Sequence, residues 1–162
     1  MIKRLIFFAF LSCMIITYLV SNVKLCILHN NGIGMVAPPQ KNNVVPETNV
    51  NGIYIYLDKD DYKELKNIET VFNRVLYVND SSIVNEFIKH SKFKQMGGDM
   101  CSCTSFIYFT RNDTILEEYE CCIFSKKIGL QNAKFGYLES TSDSTFNLIE
   151  HFKDKIGVIF KY

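Results

Sequence analysis

Tryptophan is absent from this 162-residue chain, and histidine and proline each occur only three times. The prolines are Pro38, Pro39 and Pro46, so no proline interrupts a helix or a central strand outside that short stretch. His29, His90 and His151 form no His-x-x-x-His or His-Glu-x-x-His pair, which excludes a helical zinc site of that type. Neither a Gly-x-Ser-x-Gly elbow nor a glycine-rich phosphate loop is present, so the usual local signatures of acyl transfer and nucleotide binding are missing. A marked excess of charge of either sign is missing too. From Gly52 to Tyr162 there are 14 Lys+Arg against 16 Asp+Glu, a net charge of −2 with no basic stripe, and nothing invites a nucleic acid. No catalytic constellation, metal set or cofactor follows from these residues.

What the chain has instead is a long apolar start. Lys3 and Arg4 precede a run without charge from Leu5 to Val23, and the next charge is Lys24. Its length matches a membrane-crossing helix, at about 1.5 Å per residue over a core of about 30 Å. Residues 1–28 are therefore expected to be a signal anchor or transmembrane segment, in contact with membrane lipid. A cleaved signal peptide would end in small residues, but Tyr18, Leu19 and Val20 are large. A lipoprotein signal ending at Cys13 finds a small residue only at Ser12. Both remain alternatives. The basic residues before the run favour a single-pass arrangement with the N-terminus cytoplasmic and the C-terminal domain periplasmic or extracellular.

Residues 29–51 hold all three prolines among asparagines and glycines, the composition of an exposed tether. Residues 52–162 have the size and composition of one small domain. Strands are expected at 53–57, 70–78, 103–110, 114–124 and 134–139, with an edge strand at 158–160. Asp80 or Ser81 caps a helix presenting Ile83, Val84, Phe87 and Ile88, which Gly97-Gly98 stops. Asp143 caps a second helix with Phe146, Ile149 and Phe152 on its apolar side, ended by Gly157. The expected fold class is α+β: an N-terminal single transmembrane helix plus a small, mostly antiparallel sheet with two main helices packed on it.

Cys101, Cys103, Cys121 and Cys122 fall in two pairs on the expected hairpin. With Asn112-Asp113 as a two-residue loop, paired positions sum to 225 and Cys103 faces Cys122, at a Cα separation of about 4.5–5.5 Å that suits a disulfide, whereas a three-residue loop opposes Cys103 to Cys121 or leaves it off by one residue. A structural staple in an oxidising compartment is the plain reading. A labile redox pair, a four-thiolate metal site and inert reduced thiols are the alternatives. Gly97, Gly98 and Asp99 are candidates for a flexible binding loop. Glu117, Glu118 and Glu120 read as a solvated strand face. Tyr54 and Tyr56 share one face of the first strand, which suits either a protein-binding surface or the covered side of a sheet. The functional expectation is a membrane-anchored, exported binding or interaction module without catalytic activity, inhibitor- or immunity-like, with an envelope protein as partner. The alternative is a thiol–disulfide redox protein built on the two cysteine pairs.

Overall fold

A computed structural model describes residues 2–30, 50–98, 103–132 and 135–161. In these residues the elements are α1 (Ile2–Asn22), β1 (Val23–Asn30), β2 (Gly52–Leu57), α2 (Lys59–Lys66), β3 (Arg74–Val78), α3 (Ser81–His90) and β4 (Phe93–Gln95). They continue with β5 (Ser105–Arg111), β6 (Thr114–Phe124), β7 (Lys127–Asn132), β8 (Gly136–Ser140), α4 (Ser144–Glu150) and β9 (Lys153–Lys161). All nine strands join one sheet in the order β1-β9-β3-β2-β5-β6-β7-β8-β4.

This corrects the expected fold class. The sheet is large and mixed, not small and mostly antiparallel, and four helices accompany it. The mixture comes from β1, which runs parallel to β9 from Val23 opposite Ile156 to Leu28 opposite Lys161. Its last two residues, His29 and Asn30, pair in parallel with Thr114 and Ile115 of β6. That contact closes β1, β9, β3, β2, β5 and β6 into a ring. The apolar start is divided accordingly: helix to Asn22, then a strand whose Cys26 and Leu28 point inward. The transmembrane expectation is corrected as well, since no helix among the described residues is long and apolar enough to cross a membrane. Residues 23–28 thus belong to the sheet and not to an anchor, and His29 and Asn30 belong to it and not to a tether. Positions 31–49 of the expected tether lie outside the described residues.

The two faces of the sheet bury separate cores. One face lies under α2, α3 and α4 and packs Ile55, Leu57, Leu76, Phe87, Phe109, Tyr119, Cys121 and Ile149. The other face lines the ring and packs Cys26, Leu28, Tyr54, Val75, Tyr108 and Ile115. Tyr54 and Tyr108 are therefore buried inside the ring, and the tyrosine face is the covered side of the sheet. Asp113 fastens the closure: its carboxylate accepts from the Tyr54 hydroxyl at 2.7 Å, and its carbonyl accepts from the His29 amide at 3.0 Å.

Local chemistry explains most element ends. Asp58 caps α2 by accepting from the amides of Asp60 and Asp61, which stabilises such a helix by about 1 kcal/mol. Asp80 caps α3 through Ser82. Gly97-Gly98 does not stop α3: the helix ends at His90, and Phe93–Gln95 then pairs with β8 as a three-residue edge strand. A short edge offers little template for unwanted pairing. Gly157 does not end α4 either. It lies within β9, which is an interior strand between β1 and β3 and not an edge.

Candidate functional site

Three features carry chemistry: the cysteines beside β6, a polar node under them, and the surface of α1. The β5–β6 turn is Asn112-Asp113, with φ of 50° and 61° as a tight two-residue hairpin requires. Next to the turn, Arg111 faces Thr114 and Thr110 faces Ile115, the register that the loop predicts. A bulge between Phe109 and Thr110 then shifts it by one residue, so Ser105 faces Cys121 and not Glu120. Strand alternation separates the adjacent cysteines. Cys121 is fully buried in the helix-covered core, and Cys122 lies half-buried on the opposite face. Cys103, just before β5, reaches Cys122, and the two thiols hydrogen-bond each other. Because Cys121 points away through the sheet, Cys103, Cys121 and Cys122 do not converge on one metal position. Among the described residues no group of three or more His, Cys, Asp or Glu does so. Cys101 and Asp99 lie outside the described residues, while Gly97 and Gly98 form an exposed bend with Gly98 at φ 92°.

The surroundings make these thiols reluctant to ionise. Burial pushes Cys122 up to about 12, and its contact with Cys103 adds to this. Burial also raises Cys103 and Cys121, with Asp61 as a further cause for both. Tyr137 is raised to about 12 by burial and by Glu139 beside it. A protonated thiol is neither nucleophile nor metal ligand. Alkylation of the folded chain at neutral pH is therefore expected to spare Cys103 and Cys122 and to accelerate only as the pH climbs well above 9. Iodoacetamide labelling against pH, read by mass spectrometry, checks this. A labelling midpoint near pH 7 at either cysteine would reverse it.

Beneath the cysteines, Asp61 on α2 is a buried carboxylate. It accepts from the Ile123 amide at 2.7 Å and from the Ser105 hydroxyl. Ser105 in turn accepts from the Asp58 amide at 3.0 Å, and Thr104 donates to the Asp58 carboxylate. This node ties the start of α2 to β5 and β6, and every buried partner in it is satisfied. It holds no base positioned toward an open cleft. A shallow depression of about 550 Å³ between α2 and α4 is lined by Lys63, Glu64, Lys126, Phe146 and Glu150, of mixed charge and with no convergent group.

Comparison with known proteins finds no matching family model, no matching curated protein and no matching solved structure. The chemistry must therefore be read from the chain itself, and α1 is its most unusual part. Ile6, Phe7, Phe8, Phe10, Met14, Ile15 and Ile16 are all exposed, with Phe8 at 63 % and Phe10 at 65 % of full accessibility. Among the described residues none of these side chains belongs to either buried core. Four polar side chains of α1 turn inward on its own backbone. Ser12 donates to the Phe8 carbonyl at 2.8 Å, Thr17 to Cys13 at 2.8 Å, Ser21 to Thr17 at 2.6 Å and Asn22 to Tyr18 at 2.9 Å. Such back-bonding gives each of these four side chains an acceptor within the helix itself. Sequence reasoning found the apolar helix but missed where it hands over to β1, because Leu25 and Ile27 continue the apolar run on the outward side of the strand.

Proposed function

We propose that this chain is a non-catalytic binding module of the cell envelope, attached to a lipid surface through α1 and presenting its sheet domain to a protein partner. The observation that carries the reading is the surface of α1: exposed phenylalanine, isoleucine and methionine on a helix whose Ser12, Thr17, Ser21 and Asn22 side chains bond back to its own carbonyls. Contiguous exposed apolar surface of this extent marks an interaction site. Lipid is the medium in which backbone and side-chain donors must find partners within the helix itself. The absence of a converging catalytic group among the described residues leaves binding as the simpler role for the domain.

The test uses the full chain and lipid vesicles. The native chain is expected to sediment with vesicles. A variant carrying Phe7→Ser, Phe8→Ser and Phe10→Ser is expected to remain in the supernatant with its near-ultraviolet dichroism unchanged, since these side chains touch none of the core. Loss of three buried phenylalanines at about 1.5–3 kcal/mol each corresponds to more than a thousandfold in affinity. Equal sedimentation of the two proteins would refute the lipid role of α1.

A second reading, thiol–disulfide exchange, is favoured by one observation, the hydrogen-bonded contact of Cys103 and Cys122. The upward-shifted thiols oppose it, because exchange proceeds through the thiolate. The labelling experiment above separates the two.

A further inference from the structure

Strand pairing decides what stands around the foot of α1. Val23 lies opposite Ile156 and Lys24 opposite Gly157. On the other side of β9, Lys153 lies opposite Tyr77 and Lys155 opposite Val75. These pairings gather three lysines that are far apart in sequence. Lys24 Nζ is 4.8 Å and Lys153 Nζ 5.8 Å from the centre of the Tyr77 ring. Lys155 Nζ donates to the Ser21 carbonyl in the last turn of α1. Two cations thus share one aromatic ring, and a third caps the helix end. Among the described residues none of the three forms an ion pair. Asp80 feels Lys153, but its carboxylate is engaged chiefly by Ser82.

We propose that Lys24, Lys153 and Lys155 form a headgroup-reading collar, so that the surface on which α1 rests is an anionic lipid bilayer. The proposal builds on the lipid role of α1 and adds the class of lipid. Burial of apolar side chains is indifferent to headgroup charge, and a single apolar element gives only reversible attachment. Lysines fixed at the point where the helix meets the domain supply the second signal. Each contributes about fivefold in affinity for an anionic surface, and three together on the order of 100-fold. The collar is complementary in charge to such a surface, and the fold holds it in place through β1–β9 pairing.

The experiment compares full-length protein on vesicles of phosphatidylcholine alone and of phosphatidylcholine mixed with phosphatidylglycerol. The native chain is expected to prefer the mixed vesicles by on the order of 100-fold, with the preference collapsing as salt rises. The variant Lys24→Gln, Lys153→Gln, Lys155→Gln is expected to lose that preference while keeping its binding to the neutral vesicles. Replacing Lys3 and Arg4 by glutamine is expected to leave most of it. A native chain that binds both vesicles equally, a triple variant that keeps its preference, or a preference that disappears with Lys3 and Arg4 alone would each overturn the collar while leaving the lipid role of α1 intact. Failure to bind either vesicle would overturn both. The single variants Lys24→Gln, Lys153→Gln and Lys155→Gln, each expected to lose about fivefold of the preference, decide the matter even where the triple variant does not fold, and three single variants that keep the full preference would overturn the collar.

Discussion

Replacing Gly157 with alanine is expected to lower the melting temperature by about 10 °C, from a loss of about 3 kcal/mol in a chain of this size. A Cβ at this position would lie 2.7 Å from the Lys24 carbonyl oxygen and 2.7 Å from Cγ2 of Val75. Neither neighbour can yield cheaply. The carbonyl is backbone of β1 at the residue paired with Gly157, and Val75 is fully buried inside the ring. Relief requires β1 to move away from β9, which disturbs Cys26 and Leu28 in the ring core and the seat of α1. Overpacking against flexible side chains costs about 1–3 kcal/mol, and a rigid backbone neighbour puts this site at the upper end. Thermal melts followed by far-ultraviolet dichroism measure it. A change within about 2 °C, roughly half a kcal/mol, would mean that β1 is not held against β9 as described. By contrast Gly97, where an added Cβ would meet nothing within 4 Å, is expected to accept alanine with little change.

Gly157 also shows where the sequence misleads. A glycine after an apolar stretch reads as a helix stop, yet here it allows two strands to approach closely inside a sheet. The pairing that demands it joins residues 24 and 157, and no local pattern reports such a partner. The same holds for β1: its inward residues Cys26 and Leu28 alternate with Leu25 and Ile27, which are apolar as well, so the period of two disappears into a run continuous with α1. Strand β7 was hidden by its turn. Ser125 and Lys126 adopt φ of 49° and 63°, a conformation usually signalled by asparagine, aspartate or glycine. The β5–β6 turn at Asn112-Asp113 carries that signal and was legible, whereas the bulge that shifts the register beyond Thr110 was not. Of the candidate site, the apolar helix and the cysteine-bearing hairpin could be read from composition and periodicity. The lysine collar and the Asp61 node could not, because each is assembled from residues brought together by long-range pairing.

Asp61→Ala is expected to cost about 3–5 kcal/mol and to bring the chain close to unfolding. The substitution leaves the Ile123 amide and the Ser105 hydroxyl without their acceptor in a buried place, at about 1–3 kcal/mol for each, with a further loss from the space vacated. Asp61→Asn is expected to fall within about 1 kcal/mol of the native chain at neutral pH, since the amide oxygen still accepts from Ile123 while the buried charge is gone. The charge itself is unfavourable. Burial raises the Asp61 carboxyl above its ordinary 3.8, against the opposing pull of the Ser105 and Ile123 hydrogen bonds, and Asp58 and Asp60 push in the same direction as burial. The folded state therefore holds this proton to higher pH than the unfolded state does. Linkage then fixes the sign: the contribution of Asp61 to stability is greatest below 3.8 and declines as pH rises through the folded-state value. Urea unfolding of the native chain and of Asp61→Asn across the acidic range should diverge in that sense. The asparagine variant gains on the native chain as pH rises toward neutrality and loses the advantage below 3.8. If the native chain gained on the variant over that interval, ionised Asp61 would be a net stabiliser, the Ser105 and Ile123 hydrogen bonds to the carboxylate outweighing its burial, and the upward shift would be refuted.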